Sequence, residues 1–239
     1  MTPRLNEIWV YLSASPLLGL TITLLAYQGA FWIYRRAGMN PLLNPVLIAV
    51  TVLVLLLTLT ATSYEAYFAG AQFVHFLLGP ATVALAVPLY TQLRRVRTML
   101  LPVIAGLVAG SLTAALSAIT IARLFGASLP TQLSLAPKSV TTPIAMGIAE
   151  RIGGLPSLTA VLVITTGILG AVTGRALFNA LGVHDPAIRG FATGVTAHGI
   201  GTARAFQESE QAGAFSALAM GMNGLLTAVL LPVLLPLLQ

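Results

Sequence analysis

Ala136-Pro-Lys-Ser-Val-Thr-Thr-Pro-Ile-Ala-Met-Gly-Ile-Ala-Glu-Arg151 is a polar, proline-interrupted passage in a chain that is otherwise strongly apolar. Pro137 and Pro143 each lack a backbone donor and clash with the preceding turn, so a broken helix is expected here. At membrane depth irregular backbone persists only where it is buried in protein or lines a wet cavity. Lys138 facing lipid there would cost roughly 3 kcal/mol. Ser139, Thr141 and Thr142 set hydroxyls beside that ammonium, and the amides of a helix restarting near Pro143 carry the positive end of its dipole. The combination suits a small carboxylate. The plain alternative is a loop in which Lys138 snorkels and the helix begins near Ser139.

The surrounding composition makes the membrane the frame for this passage. Hydrophobic residues are 57% of the 239 and charged residues 8%, against about 25% charged in an ordinary soluble domain. Mean hydropathy is +0.92. A hydrocarbon core of about 30 Å needs about 20 apolar helical residues per crossing, which leaves room for roughly seven or eight spans and no separate soluble domain. The expected fold is an all-α polytopic membrane protein. The net charge of +6 comes from 12 Lys/Arg against 6 Asp/Glu, gathered in short clusters between apolar runs. This is the pattern of membrane topology and not of nucleic-acid binding. With no cysteine, disulfides, thiolate metal sites and thiol redox chemistry are excluded. Residues 1–9 include Glu7 and lack a basic leader and cleavage site, so the first apolar run is expected to be a retained span.

The apolar runs are Leu17 to Tyr34, Val46 to Thr62, Met99 to Leu124, Leu155 to Leu181 and Ala214 to Leu238. Between the second and third, Tyr64 to Tyr90 is interrupted by Glu65, Gln72 and His75 and divided at Gly79-Pro80, with Thr82 just beyond. It is expected to be broken or re-entrant. Arg189 to Gln211 is polar and glycine-rich and forms a second interrupted segment.

At a constant shift of 115, Arg36, Gly38 and Pro41 fall on Arg151, Gly153 and Pro156, and eleven of 32 positions from Ala30 to Ala61 are identical. Two internal repeats follow, 1–124 and 125–239, with the interrupted segments in equivalent places. Such pairs point to a transporter's midplane site. Three spans per half would make the repeats inverted and four would make them parallel, and the charges do not choose between these.

Two further residues carry chemistry. His198, between Ala197 and Gly199 with Thr196 and Thr202 close by, titrates near neutrality and so suits proton coupling, or else it bonds a neighbouring helix. Arg204 offers a planar fork that matches a carboxylate, or else pairs with Glu208 one turn on. No metal-spaced His/Glu cluster, phosphate loop or nucleophile elbow occurs, so neither an enzyme nor a cofactor is expected.

Leu135-Ala-Pro-Lys-Ser-Val-Thr-Thr-Pro-Ile-Ala145 and Thr196-Ala-His-Gly-Ile-Gly-Thr-Ala-Arg204 resemble the LrgB/CidB family. That family includes the YohK-like bacterial proteins and the C-terminal part of the plant plastidial glycolate/glycerate translocator. The likeness runs from Pro41-Leu-Leu-Asn-Pro45 to Gly213-Ala-Phe-Ser216. It implies a multi-pass protein of the bacterial inner membrane. Two functions follow from it: carriage of small monocarboxylates such as glycolate, glycerate or pyruvate, or antiholin-like control of murein hydrolases with an LrgA/CidA-type partner, which would be a separate chain. Under the first, Lys138, Ser139, Thr141, Thr142, Thr196, His198, Gly199, Thr202 and Arg204 form the anion site, with Gly79, Pro80 and Thr82 in the other interrupted segment. A homo-oligomer is expected.

Overall fold

The computed structural model describes residues 16–40, 43–77, 80, 83–84 and 86–238. They are helical, with no strand among them, and group into two compact units, Met1–Ala84 and Leu85–Gln239. The expected repeat boundary at 124/125 lies inside the second unit.

In the first unit α1 (Pro16–Arg36), α2 (Pro45–Leu59) and α3 (Tyr64–Phe76) follow in order. Helix α1 stops at the turn containing Gly38 and Met39, both with positive φ (64° and 57°). The stop suits a glycine in the left-handed region. Asn44 then caps α2, its side-chain oxygen accepting from the amides of Val46 and Leu47, with Pro45 preset for the first turn. Helix α1 packs on α3 where Gly19 meets the backbone of Tyr67 and Ala71; a Cβ there would lie 2.5 Å from the Tyr67 oxygen. The hydroxyls of Thr23 and Tyr67 pair beside it at 2.7 Å. Helix α3 ends at Phe76, within the stretch expected to be interrupted. Pro80 is exposed, whereas Gly79 and Thr82 lie outside the described residues.

The second unit begins with the short helices α4 (Ala86–Thr91) and α5 (Leu93–Thr98) and continues with α6 (Leu100–Leu124), α7 (Leu129–Leu135), α8 (Thr142–Ile152), α9 (Pro156–Ala180), α10 (Pro186–Glu208) and α11 (Glu210–Leu238). Helices α6 and α9 match their expected spans within a residue or two. Helix α11 starts four residues before the expected Ala214. Ser209 is extended and its hydroxyl accepts from the amide of Ala212, so Glu210 and Gln211 form a favourable first turn and not a loop. Asp185 starts α10 in the same way, accepting from Ala187 at 2.7 Å, and also pairs with Arg95 of α5 at 2.6 Å. Helix α8 ends at Gly153, φ 86°, the position that the shift of 115 sets against Gly38.

Among the described residues, four helices are long and apolar enough to cross a membrane: α1, α6, α9 and α11. This is fewer than the roughly seven or eight crossings that length alone allows. Helix α2 has only 15 residues, Tyr64 to Tyr90 holds short helices, and α10 carries too many polar groups.

Glycines bring the second unit's helices together. A Cβ on Gly190 or Gly194 of α10 would lie 2.1 Å from a backbone oxygen of α11, and one on Gly170 of α9 would lie 2.5 Å from the Cβ of Ala197. Small residues substitute close backbone approach for hydrophobic drive, which lipid does not supply between helices. Val140, Ala145, Ile148, Val163 and Leu231 belong to one buried apolar cluster of this unit.

Candidate functional site

The broken helix is present where the prolines place it. Helix α7 ends at Leu135, residues 136–141 make tight turns with Lys138 N bonded to Leu135 O (3.1 Å) and Val140 N to Pro137 O (3.2 Å), and α8 restarts at Thr142 with Pro143 in its first turn. Lys138 is therefore in neither helix. Its ammonium reaches the Ser139 hydroxyl at 3.3 Å and lines an open cleft of about 520 Å³ between α6, α9 and α10. The other polar residues of the lining are Thr113, Thr166, Thr173 and Thr196. One cation, five hydroxyls and no carboxylate face this space.

The hydroxyls do not all serve an anion equally. Those of Thr166, Thr173 and Thr196 donate to carbonyls four residues back in their own helices, at 2.7–2.8 Å. Back-bonded in this way they present lone pairs to the cleft. The groups that meet a negative charge without such a commitment are the Lys138 ammonium, the Ser139 hydroxyl beside it and the Thr113 hydroxyl.

The second interrupted segment is a kink and not a hairpin. Helix α10 runs through it except at His198, whose φ of 41° and ψ of −134° are not helical. A residue with a Cβ is strained there by about 1–3 kcal/mol, a cost seen chiefly where surrounding structure imposes it. Here the imposed contact is Nε2 of His198 against the carbonyl of Val163 in α9, 2.9 Å apart and buried. Gly167 makes room, since a Cβ on it would sit 2.7 Å from the imidazole. His198 thus bonds a neighbouring helix.

The expected site residues fall into separate places. Lys138, Ser139 and Thr196 share the cleft. Thr141 and Thr142 open α8 and are half-buried, outside its lining. Thr202 is buried and bonded to His198 O (2.7 Å) and to the hydroxyl of Ser216 (2.9 Å), while Gly199 lies against Met220. Arg204 does not join Lys138 in the cleft. It lines a narrow crevice with Arg175, Arg189 and Glu208 and donates to Gln207 Oε1 at 2.9 Å.

One residue that sequence reasoning missed ties the two breaks together. Asn223 of α11 is 1% exposed. Its amide donates to Ser139 O in the first break (3.1 Å) and to Val195 O in the turn that the His198 kink disturbs (3.0 Å). Its oxygen accepts from the hydroxyls of Ser111 in α6 and Thr227 in α11. The available signal was a lone amide in an apolar span, a residue type that lipid tolerates poorly.

Comparison with known proteins decides the family. The LrgB-like family's sequence model matches residues 23–237. The chain belongs to the LrgB-like family. A Bacillus subtilis relative, YwbG, is 36% identical over 92% of this chain and 97% of its own length. A Staphylococcus epidermidis relative named holin-like protein CidB is 31% identical, covering 82% of this chain and 85% of its own. A Bacillus cereus relative named antiholin-like protein LrgB is 27% identical over 93% and 96%. No solved structure matches the chain.

Proposed function

We propose that this LrgB-family protein is a holin-like or antiholin-like regulator in the bacterial inner membrane, governing murein hydrolase activity and lysis with a separate LrgA/CidA-type membrane protein. The near full-length similarity to relatives named CidB and LrgB supports the reading, as do four helices long and apolar enough to span. Its test is murein hydrolase activity and lysis in cells lacking the chain, with and without its expression and with and without the partner. A partner-dependent change supports the reading, and identical hydrolase activity in all four conditions overturns it.

A specific observation favours a second reading, carriage of a small monocarboxylate: Lys138 lines an open cleft that contains no acidic side chain. Its test is uptake of labelled glycolate and pyruvate by proteoliposomes that contain only this chain. Uptake that Lys138→Met abolishes supports it; uptake no faster than in empty vesicles removes it.

A further inference from the structure

The polar cleft does not end at Lys138. Gly110 and Thr196 line it and also line a second space, an apolar groove of about 410 Å³ between α6 and α10. The groove runs along Met99, Val103 and Gly106 on one side and Ile188, Phe191 and Ala192 on the other. Helix α6 has glycines where α10 has large side chains, which lets the two helices approach closely along the groove: a Cβ on Gly106 would meet the Phe191 ring at 3.3 Å, and one on Gly110 would meet Val195 at 2.9 Å. Thr196 is the groove's one hydroxyl, and no charged side chain lines it. The two spaces adjoin at Gly110 and Thr196, the cleft with an ammonium and the groove with carbon walls, and each falls within the roughly 300–1,000 Å³ of ligand sites.

We infer that the joined cleft and groove bind an alkyl carboxylate, its head on Lys138 and Ser139 and its chain between α6 and α10. This rests on the carboxylate reading of the cleft and changes its substrate class from two- and three-carbon acids to amphiphilic ones. The charge complementarity is specific, since Lys138 is the one cation along both linings and no acid opposes it. The length fits as well. From Gly110 back to Met99 the axial rise is roughly 16 Å, room for a chain on the order of ten carbons.

The experiment is calorimetric titration of the purified full chain in detergent with acetate, butyrate and octanoate. Each methylene moved from water into carbon walls strengthens binding about fourfold when fully buried, so octanoate should bind at least about tenfold tighter than butyrate. Lys138→Met should abolish binding across the series. Ala192→Phe fills the groove without touching the cleft lining, and should bring octanoate down to butyrate's affinity while leaving butyrate unchanged. Ile188→Trp, at a residue 49% exposed, makes the same test if the first variant does not fold. Equal affinities for butyrate and octanoate, both lost in Lys138→Met, would overturn the inference and leave the carboxylate cleft standing. Octanoate binding undiminished by Lys138→Met would mean that any alkyl chain fills the groove, bilayer lipid included, and would overturn it too. Failure of every acid to bind would overturn both the inference and the reading beneath it.

Discussion

Replacing Asn223 by leucine removes the amide that holds both helix breaks while keeping the side chain's approximate size. Two backbone carbonyls, of Ser139 and Val195, lose a donor, and the Ser111 hydroxyl loses its acceptor. Interhelical hydrogen bonds in membrane proteins average about 0.6 kcal/mol, which puts the lower bound for three bonds near 2 kcal/mol. A buried group left without any partner costs about 1–3 kcal/mol, and the two carbonyls then push the loss upward. The expected destabilisation is about 2–4 kcal/mol. Thr227→Val, which removes only a 3.4 Å contact, should cost under about 0.6 kcal/mol. The assay is reversible unfolding in mixed micelles with increasing denaturing detergent, followed by helical signal. Asn223→Leu within about 0.5 kcal/mol of the parent, inside the range of surface substitutions, would refute the claim that this amide holds the breaks.

The strained backbone at His198 reverses a familiar order. In ordinary helix interiors alanine is more stable than glycine by about 1 kcal/mol, but at φ 41° His198→Gly should be at least as stable as His198→Ala in the same unfolding assay, and alanine winning by the usual margin would dismiss the strain. The glycine contacts predict a second contrast. Gly190→Ala meets a backbone oxygen at 2.1 Å, whereas Gly221→Ala meets nothing within 4 Å. The first should lose about 2 kcal/mol or more and the second should be neutral or gain up to about 1 kcal/mol. Similar melting of the two variants would contradict the packing.

The parts legible from sequence were those governed by local chemistry. Pro137 and Pro143 dictated the break before α8, Gly38 and Gly153 terminate helices, and the apolar runs became α6 and α9 almost residue for residue. Which side chains meet was less legible, because it depends on how each helix is rotated. Lys138 and Arg204 are both cations in polar interruptions, one proline-broken and one glycine-rich, but Arg204 lies beyond the kink and lines another crevice. His198 and Thr202 look like ligands in a polar motif and are buried between helices, occupied with Val163, Ser216 and each other. Thr113, Thr166 and Thr173 were hidden by their neighbours. Threonines such as Thr166 and Thr173 that bond their own helix fit an apolar span without disturbing its periodicity, and only the fold shows that these two and Thr113 line the cleft.

The account turns on Lys138 lining a wet cleft and not a lipid-facing or closed surface. The chain contains no cysteine, so single-cysteine variants need no background removal. Lys138→Cys, Thr173→Cys and Thr196→Cys, with Val161→Cys on the exposed side of α9 as the lipid-facing control, can each be reconstituted and treated with a membrane-impermeant maleimide. Fast labelling at 138, 173 and 196 with little at 161 is the predicted result. Labelling at 138 and 196 as slow as at 161 would contradict it.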